Sequence, residues 1–315
     1  MKSLDFEKTI QEVEEKIIAL HDITSTDEID VAEELRRLET KLKKQIDLAY
    51  KKLTPWQKTQ VARHEDRPHT SDYIQNLMSD FVELRGDRCF ADDRAIIGGI
   101  ANFNGRTVMV IGQEKGHDTP SRLEHNFGMA KPEGYRKAVR LMKMAEHFGF
   151  PILTFVDTAG AFPGVDGESR GQAEAIAHAM DVSLELTVPI ISTIIGEGGS
   201  GGAVALATAN TILMLENSIY SVISPEGCAS ILWKDAAKAE QAAGALCLTA
   251  QDLLRFGLID EVIPEPVGGA HRHPVETIEE VGKVINRYLD TFDNMPPAII
   301  KKHRQDKFLA MTKPE

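Results

Sequence analysis

The sequence has 315 residues, 42% of them hydrophobic, which is enough for one large domain with a substantial core plus an appendage. Its 48 acidic and 36 basic residues give a formal net charge of −12, which argues against nucleic acid as a bulk partner. The apolar runs are shorter than the roughly 20 residues that span a bilayer, and the charged N-terminus is unlike a signal peptide. We therefore expect a cytoplasmic protein without a membrane segment.

Three cysteines lie far apart in the sequence, at Cys89, Cys228 and Cys247. Their odd number and spacing indicate neither a disulfide framework nor a four-thiolate zinc site. We expect them to be reduced, as is usual in the cytosol.

The first sixty residues are highly charged and contain no glycine, and their apolar residues recur at helical spacing. They predict a helical hairpin at 1–60, ahead of a main domain at 61–315. Packing on the chain's own domain and contact with another subunit explain the hairpin's apolar stripe equally well. The second predicted helix carries this stripe at Val31, Leu35, Leu38, Leu42, Ile46, Ala49 and Leu53.

From Ile96 onward, short β-branched runs alternate with helical stretches. Strands are predicted at 107–111, 152–156, 190–195 and 212–215, with crossover helices at 135–148 and 172–186. This alternation indicates an α/β fold. Toward the C-terminus, a charged helix is predicted at about 275–291, followed by a basic segment at 301–304 that we expect to be a solvated helix end.

Two predicted strand-to-helix turns are rich in glycine: DTAGAFPG at 157–164 and GEGGSGGA at 196–203. Glycine allows backbone N–H groups to approach a ligand closely, and the first N–H groups of a helix have no intrahelical partner. Such a corner suits a negative oxygen, so the two turns predict an oxyanion hole. Losing one donor of an oxyanion hole typically costs about 2.7–4 kcal/mol of transition-state stabilisation.

Other interpretations of these turns stay open at this point. Gly196, Gly198 and Gly201 fit a dinucleotide-binding G-x-G-x-x-G pattern with Glu216 about twenty residues on, but only a short apolar helix fits before the next strand. The glycines could also serve only close packing of helix on strand. Ser200 resembles a nucleophile elbow, although we favour a helix cap, and for Asp157 we favour a structural role over a catalytic one.

Two further groups of residues carry weaker signals. His271 and His273 lie in a loop without neighbouring acidic or thiol ligands, so we expect exposed histidines and no metal site. A basic cluster in an acidic protein fits an anionic substrate arm and an ordinary solvated helix entry equally well. This cluster comprises Lys115, His117, Arg122, His125, Lys131, Arg136 and Lys137.

Several long motifs resemble the carboxyltransferase alpha subunits of multisubunit acetyl-coenzyme A carboxylases. They are ARHEDRP at 62–68, NFGMAKPEGYRKA at 126–138, GEGGSGGA at 196–203, YSVISPEGCASILWK at 220–234 and IPEPVGGAHR at 263–272. The resemblance implies a crotonase-superfamily fold, a spiral of β-β-α units, with an N-terminal helical hairpin.

The resemblance also implies the activity and its partners. Carboxybiotin, held on a biotin carboxyl carrier protein that biotin carboxylase charges, would give its carboxyl group to acetyl-coenzyme A, forming malonyl-coenzyme A for fatty acid synthesis. Biotin itself would act as the base. The active form would be an alpha-two beta-two complex, with zinc and most of the coenzyme A site in the beta subunit and no metal in this chain.

The resemblance, applied motif by motif, also implies which amides hold the biotin oxygen. They would come from Gly160 or Ala161 in the first turn and from Gly201 or Gly202 in the second. Substrate contacts would come from Gly198, Gly199, Arg136 and Lys137. A biotin-dependent decarboxylase, a propionyl-type carboxyltransferase and a scaffold subunit without its own chemistry are the alternatives.

Overall fold

A computed structural model describes residues 4–24 and 32–311, with the side chains of 22–24 left out. Between the two N-terminal helices the sequence predicts a polar connection at 21–30, and most of it lies outside the described residues. Within them, no helix is long and apolar enough to cross a membrane.

The strands are β1 (Ser79–Glu83), β2 (Ile96–Phe103), β3 (Arg106–Gln113), β4 (Ile152–Thr158), β5 (Ile190–Gly199), β6 (Thr211–Leu215), β7 (Ile219–Ser221) and β8 (Glu261–Ile263). The helices of the N-terminal half are α1 (Lys8–Thr24), α2 (Ala32–Tyr50), α3 (Pro55–Ala62), α4 (Thr70–Leu77), α5 (Thr119–Glu124) and α6 (Pro132–Phe148). Those that follow are α7 (Val165–Ser169), α8 (Gln172–Glu185), α9 (Ser200–Ala207), α10 (Pro225–Trp233), α11 (Ala239–Leu246), α12 (Ala250–Arg255), α13 (Pro274–Phe292) and α14 (Pro297–Ala310).

The strands form one sheet in the order β1-β2-β3-β4-β5-β6-β8, and β7 pairs with the end of β5. The hairpin of β2 and β3 is antiparallel, whereas β3, β4, β5, β6 and β8 run parallel. The predicted strands are confirmed, because they lie within β3, β4, β5 and β6. The predicted crossover helices are also confirmed, since they match α6 and α8 to within a few residues. A long connection through a helix is what parallel neighbours require.

Apolar side chains cover both faces of the sheet. On one face, buried residues of α6, α8 and α9 pack on the strands, and on the other face those of α4 and α13 do. All seven residues of β4 are buried, as expected for a strand covered on both faces. The carboxyl ends of β3, β4 and β5 therefore lie side by side at one edge of a well-packed core.

The N-terminal helices α1 and α2 pack against each other. The boundary expected at residue 60 lies inside α3, which Thr54 caps and whose contacts with β5 and β7 place it with the main sheet. A separate hairpin domain at 1–60 stays a prediction.

The C-terminal basic segment differs from the expectation of a solvated helix end. Arg304 is fully buried in α14, where its guanidinium donates to backbone carbonyls of Leu186 and Val188 and to the side chain of Asn210. The sequence interpretation was wrong for Arg304, whereas Lys302 and His303 are exposed as expected. An apolar face on α14 docks this helix beside α8, and a buried arginine is tolerated where carbonyl oxygens accept its N–H groups.

Candidate active site

The two glycine-rich turns meet in the structure. A Cβ atom placed on Gly202 would lie 2.8 Å from the carbonyl carbon of Gly160 and 2.9 Å from the nitrogen of Ala161. Only glycine at position 202 allows the backbone of α9 to approach the first turn this closely. The residues predicted from the two separate motifs are thus in direct backbone contact.

In the first turn, the N–H groups of Gly160 and Ala161 differ in what they contact. Gly160 has a φ of 153°, its N–H donates to the Thr158 hydroxyl oxygen at 3.1 Å, and that hydroxyl donates to the Gly160 carbonyl at 2.7 Å. None of the residues that the structure describes accepts a hydrogen bond from the Ala161 N–H. Ala161 is therefore the better candidate donor of the two.

The second turn is sharper than the sequence indicates, since β5 continues through Gly199 and α9 begins at once with Ser200. Ser200 has a φ of 50°, an unusual value for a residue other than glycine. Gly199 holds the N-cap position, and no side chain of the described residues caps α9, so our helix-cap interpretation of Ser200 was wrong. The first N–H groups of this helix, including those of Gly201 and Gly202, have no intrahelical acceptor.

Gly198 and Gly199 belong to β5, where they pair with Tyr220 and Ser221 of β7. Their backbone is thus part of a strand ladder, and the predicted role in substrate binding stays a prediction.

Gln113, the last residue of β3, is fully buried and bridges the two turns. Its carboxamide nitrogen donates to the Gly202 carbonyl at 2.7 Å, and its oxygen accepts from the Asp157 N–H at 3.1 Å. One side chain thereby connects the end of β4 with the first turn of α9.

A chain of ion pairs lies beneath the same turns. Lys115 Nζ is 2.7 Å from Asp157 Oδ1 and 2.8 Å from Glu197 Oε2, and Glu197 also accepts from Arg63 Nε at 2.6 Å. Burial alone would raise the pKa of the Asp157 and Glu197 carboxyls, but the charge of Lys115 holds both pKa values below their usual range. The same two carboxylates outweigh burial at Lys115 and raise its pKa. All three groups are thus charged at neutral pH.

Asp157 has several partners besides Lys115. It accepts from the Glu197 N–H at 2.9 Å, and its other oxygen lies 3.1 Å from Nδ1 of the buried His69. These contacts fix the backbone of β5 just before the second turn, which favours the structural role that we expected for Asp157.

Cavities open on both sides of the paired turns. A cavity of about 530 Å³ is lined by Ala159 of the first turn, by apolar side chains such as Trp56, and by charged residues beneath the turn, including Lys115 and Glu197. A smaller, mainly apolar cavity of about 350 Å³ is lined by Ser200 and Val204 of α9 and by Tyr220. Ala159 and Ser200, which line these cavities, are close neighbours of the candidate donors Ala161 and Gly201, although the donors themselves are not among the lining residues.

Several members of the basic cluster predicted from the sequence lie beside acidic residues of this chain, and two of them, Lys115 and Arg122, line the larger cavity. Lys115 bridges Asp157 and Glu197, Arg122 faces Glu65, and His117 lies near Asp72.

Arg136 and Lys137, predicted to contact substrate, also have acidic partners. Arg136 Nε is 2.8 Å from Asp87, and the buried Lys137 donates to Asp92 at 2.6 Å and to the Asp93 carbonyl at 2.8 Å. Neither residue lines the two cavities beside the turns. Their role in substrate binding stays a prediction that this geometry does not favour.

His271 is buried, contrary to our expectation of an exposed loop histidine, because residues of the N-terminal segment cover it. Its ring stacks on His64 with centroids 4.1 Å apart, and its Nε2 is 3.3 Å from the Tyr50 hydroxyl. Tyr50 in turn donates to Glu7 at 2.8 Å.

Glu7, His64 and His271 have potential metal-ligand atoms within 4.8 Å of one another. The Glu7 carboxylate, however, already accepts from the Arg272 guanidinium at 3.0 Å, so a cation bound there would face that positive charge. We interpret the group as a polar clasp that holds the N-terminal segment.

Sequence reasoning missed Gln113, His69, Glu197 and Arg63 as parts of the site. A signal was present, because Gln113, Asp157 and Glu197 are polar residues near the carboxyl ends of three predicted strands. Carboxyl ends of neighbouring parallel strands meet at one edge of a sheet. Recognising the strand order would have brought the three together.

Comparison with known proteins identifies the family. The profile described as acetyl co-enzyme A carboxylase carboxyltransferase-like matches residues 3–312. The chain belongs to this family.

Curated members are similar over almost their whole length. The acetyl-coenzyme A carboxylase carboxyl transferase subunit alpha of Paramagnetospirillum magneticum is 57% identical over 311 residues, covering 99% of this chain and 98% of that protein. The subunit of the same name from Rhodospirillum centenum is 58% identical over 309 residues, covering 98% of each. Membership of a carboxyltransferase family leaves the dinucleotide interpretation of the glycines without support.

Solved structures share the fold at low identity. Transcarboxylase 12S aligns with a TM-score of 0.57 at 21% identity, over 73% of this chain and 44% of that one. The hetero-tetrameric malonate decarboxylase of Pseudomonas aligns with a TM-score of 0.56 at 16% identity, over 69% of this chain and 87% of that one. The expected crotonase-type carboxyltransferase fold is confirmed.

Proposed function

We propose that this chain is the alpha subunit of an acetyl-coenzyme A carboxylase carboxyltransferase. It transfers the carboxyl group of carboxybiotin to acetyl-coenzyme A and so forms malonyl-coenzyme A, the first committed step of fatty acid synthesis. Family membership supports the reaction class. The observation that carries the proposal is the contact between two turns whose N–H groups, at Ala161 and at the start of α9, have no hydrogen-bond acceptor among the described residues.

The chain's own contribution is to hold negative charge on oxygen. Carboxybiotin, when bound, supplies the carboxyl group to be transferred. The N–H groups of Ala161 and of Gly201 or Gly202 belong to two backbone segments that are in contact. This arrangement suits a single oxygen held between them, as in an oxyanion hole. Fixed donors of this kind stabilise charge without reorganising during the reaction.

The ionised groups beneath the turns serve this role indirectly. Lys115, Asp157 and Glu197 bond to one another inside the protein, so they keep the ends of β4 and β5 in place. The donors therefore need no rearrangement when substrate arrives.

The active form that we propose is an alpha-two beta-two complex in the cytoplasm. The beta subunit would carry zinc and bind most of acetyl-coenzyme A, while the biotin carboxyl carrier protein, charged by biotin carboxylase, would deliver carboxybiotin. Exposed apolar side chains support a covering partner, since Val222 and Phe256 are 79% and 53% exposed and both line the apolar cavity beside Ser200.

The proposal is tested by reconstitution. This chain and its beta partner are mixed with malonyl-coenzyme A and free biotin, and acetyl-coenzyme A and carboxybiotin are measured. We expect both products in equal amounts, with none when either subunit is omitted. Formation of acetyl-coenzyme A at the same rate without biotin would instead indicate a decarboxylase, and no product at all would contradict the proposal.

A further inference from the structure

Gln113 occupies a position between the two backbones that supply the amide donors. It ends β3, whereas the first turn follows β4 and the second follows β5. β4 and β5 pair up to Thr158 and Gly198, with a register irregularity just before, and beyond that pair the ladder no longer sets the distance between the two backbones. Its carboxamide makes one hydrogen bond to each side, to the Asp157 N–H and to the Gly202 carbonyl. Both bonds lie in the buried interior.

These two bonds use the opposite ends of one planar group. The oxygen accepts from the residue just before Thr158 and the first turn, and the nitrogen donates to the third residue of α9. A rigid carboxamide bonded at both ends sets the distance between its partners within the tolerance of hydrogen bonds. No other amino acid of this size both donates and accepts in this way.

We propose that Gln113 is a positioning residue that sets the spacing between the Ala161 N–H and the N–H groups of α9. The proposal rests on the proposed function, since it assigns a cause to the geometry of the same oxyanion site. Gln113 touches no substrate and acts through Asp157 and Gly202.

The structure offers a matched control, a buried side chain that bonds to the same helix from a neighbouring strand. Thr154 of β4 is buried, and its hydroxyl donates to the Leu206 carbonyl at 2.9 Å. This bond also joins a core strand to α9, but near the end of the helix that is remote from the amide donors. Thr154→Val therefore removes a comparable buried bond without touching the predicted spacing.

The first readout needs no activity. Amide hydrogen exchange is followed by mass spectrometry in peptides that cover 158–162 and 199–203, for Gln113→Met and Thr154→Val. We expect exchange in both segments to rise by about 10-fold or more in Gln113→Met, because the two turns separate locally. Thr154→Val should leave both segments near wild type. Equal exchange in the two variants would overturn the proposal for Gln113. Because this readout needs no activity, it is independent of the proposed function, which would fail separately if wild type showed no carboxyl transfer.

The second readout uses the complex with the beta subunit. For Gln113→Met we expect kcat for biotin carboxylation by malonyl-coenzyme A to fall by about 10- to 100-fold with little change in KM, as for a small misplacement of catalytic groups. Thr154→Val should keep kcat close to wild type. A loss of kcat in both variants would show a merely structural effect and overturn the proposal.

Gln113→Glu serves as the second variant if Gln113→Met fails to fold. It keeps the size of the side chain and the oxygen that accepts from Asp157, but when ionised it has no donor for the Gly202 carbonyl. A folded, assembled Gln113→Glu complex with the kcat of wild type would contradict the proposal, and a reduced kcat at unchanged KM supports it.

Discussion

Lys115 shows how one residue can hold the site's charges in place. Its ammonium group bonds two buried carboxylates at the ends of neighbouring strands, and its own side chain is only 15% exposed. Without Lys115 the buried Asp157 carboxylate would lose its ammonium partner, while Glu197 would keep Arg63. Loss of a partner from a buried charge costs far more than loss of an exposed ion pair.

Lys115→Met is therefore expected to lower the free energy of unfolding by roughly 3–5 kcal/mol, because Asp157 and Glu197 stay buried and charged. Lys302→Met is the matched control, since Lys302 pairs with Asp306 on the surface of α14 and should change stability by about 1 kcal/mol or less. Urea unfolding of the three proteins measures the difference. Equal losses in both variants would contradict the role of Lys115.

At the scale of elements, the polar clasp joins the N-terminal segment to the loop before α13. His271 is central to it, lying between the ring of His64 and the hydroxyl of Tyr50. Burial, together with the neighbouring His64 ring and the positive charges of Arg67 and Arg272, lowers the pKa of His271 to about 2. The imidazole is thus neutral in the folded protein over the whole physiological range.

This lowered pKa predicts a dependence of stability on pH. An unfolded histidine has a pKa near 6.5 and binds a proton below that pH, whereas folded His271 does not, so stability is complete above about pH 6.5 and falls as pH decreases. His271 alone should make the protein about 1.4 kcal/mol less stable at pH 5.5 than at pH 7.5.

Urea unfolding at these two pH values tests this contribution. In His271→Gln the loss between pH 7.5 and pH 5.5 should shrink by about 1.4 kcal/mol, because no imidazole remains to be protonated on unfolding. His147→Gln, at an exposed histidine near the end of α6, controls for the loss of an imidazole. An unchanged loss in His271→Gln would show that His271 titrates in the folded protein.

At the scale of the whole molecule, the sequence predicted the α/β class, the parallel strands and their crossover helices, because buried β-branched runs and helical periodicity are local signals. It also placed both glycine turns, since each follows a strand. The sequence did not predict the contact between the turns or the roles of Gln113, Glu197 and His69, because these features depend on which elements of the fold are neighbours. The buried positions of His271 and Arg304 were missed for a similar reason, since each is covered by a distant segment.

The isolated chain should be inactive. Its described residues offer candidate donors for one oxygen and an exposed apolar surface beside them. Our proposal places the acyl-coenzyme A half of the reaction in the beta subunit. The check is a malonyl-coenzyme A and biotin assay on purified alpha chain alone, before and after adding beta subunit. Turnover by the alpha chain alone would contradict the division of the site between two subunits.

The most direct test of the central claim, that two touching glycine turns supply the amide donors, compares Gly202→Ala with Gly201→Ala in the assembled complex. A Cβ at 202 meets the backbone of Gly160 and Ala161 at 2.8–2.9 Å, whereas one at 201 meets only the side chain of Ile176 at 3.4 Å. The measurement is kcat for carboxylation of free biotin by malonyl-coenzyme A. We predict a loss of about 100-fold in Gly202→Ala and a rate near wild type in Gly201→Ala. A wild-type rate in an assembled Gly202→Ala complex would contradict the claim.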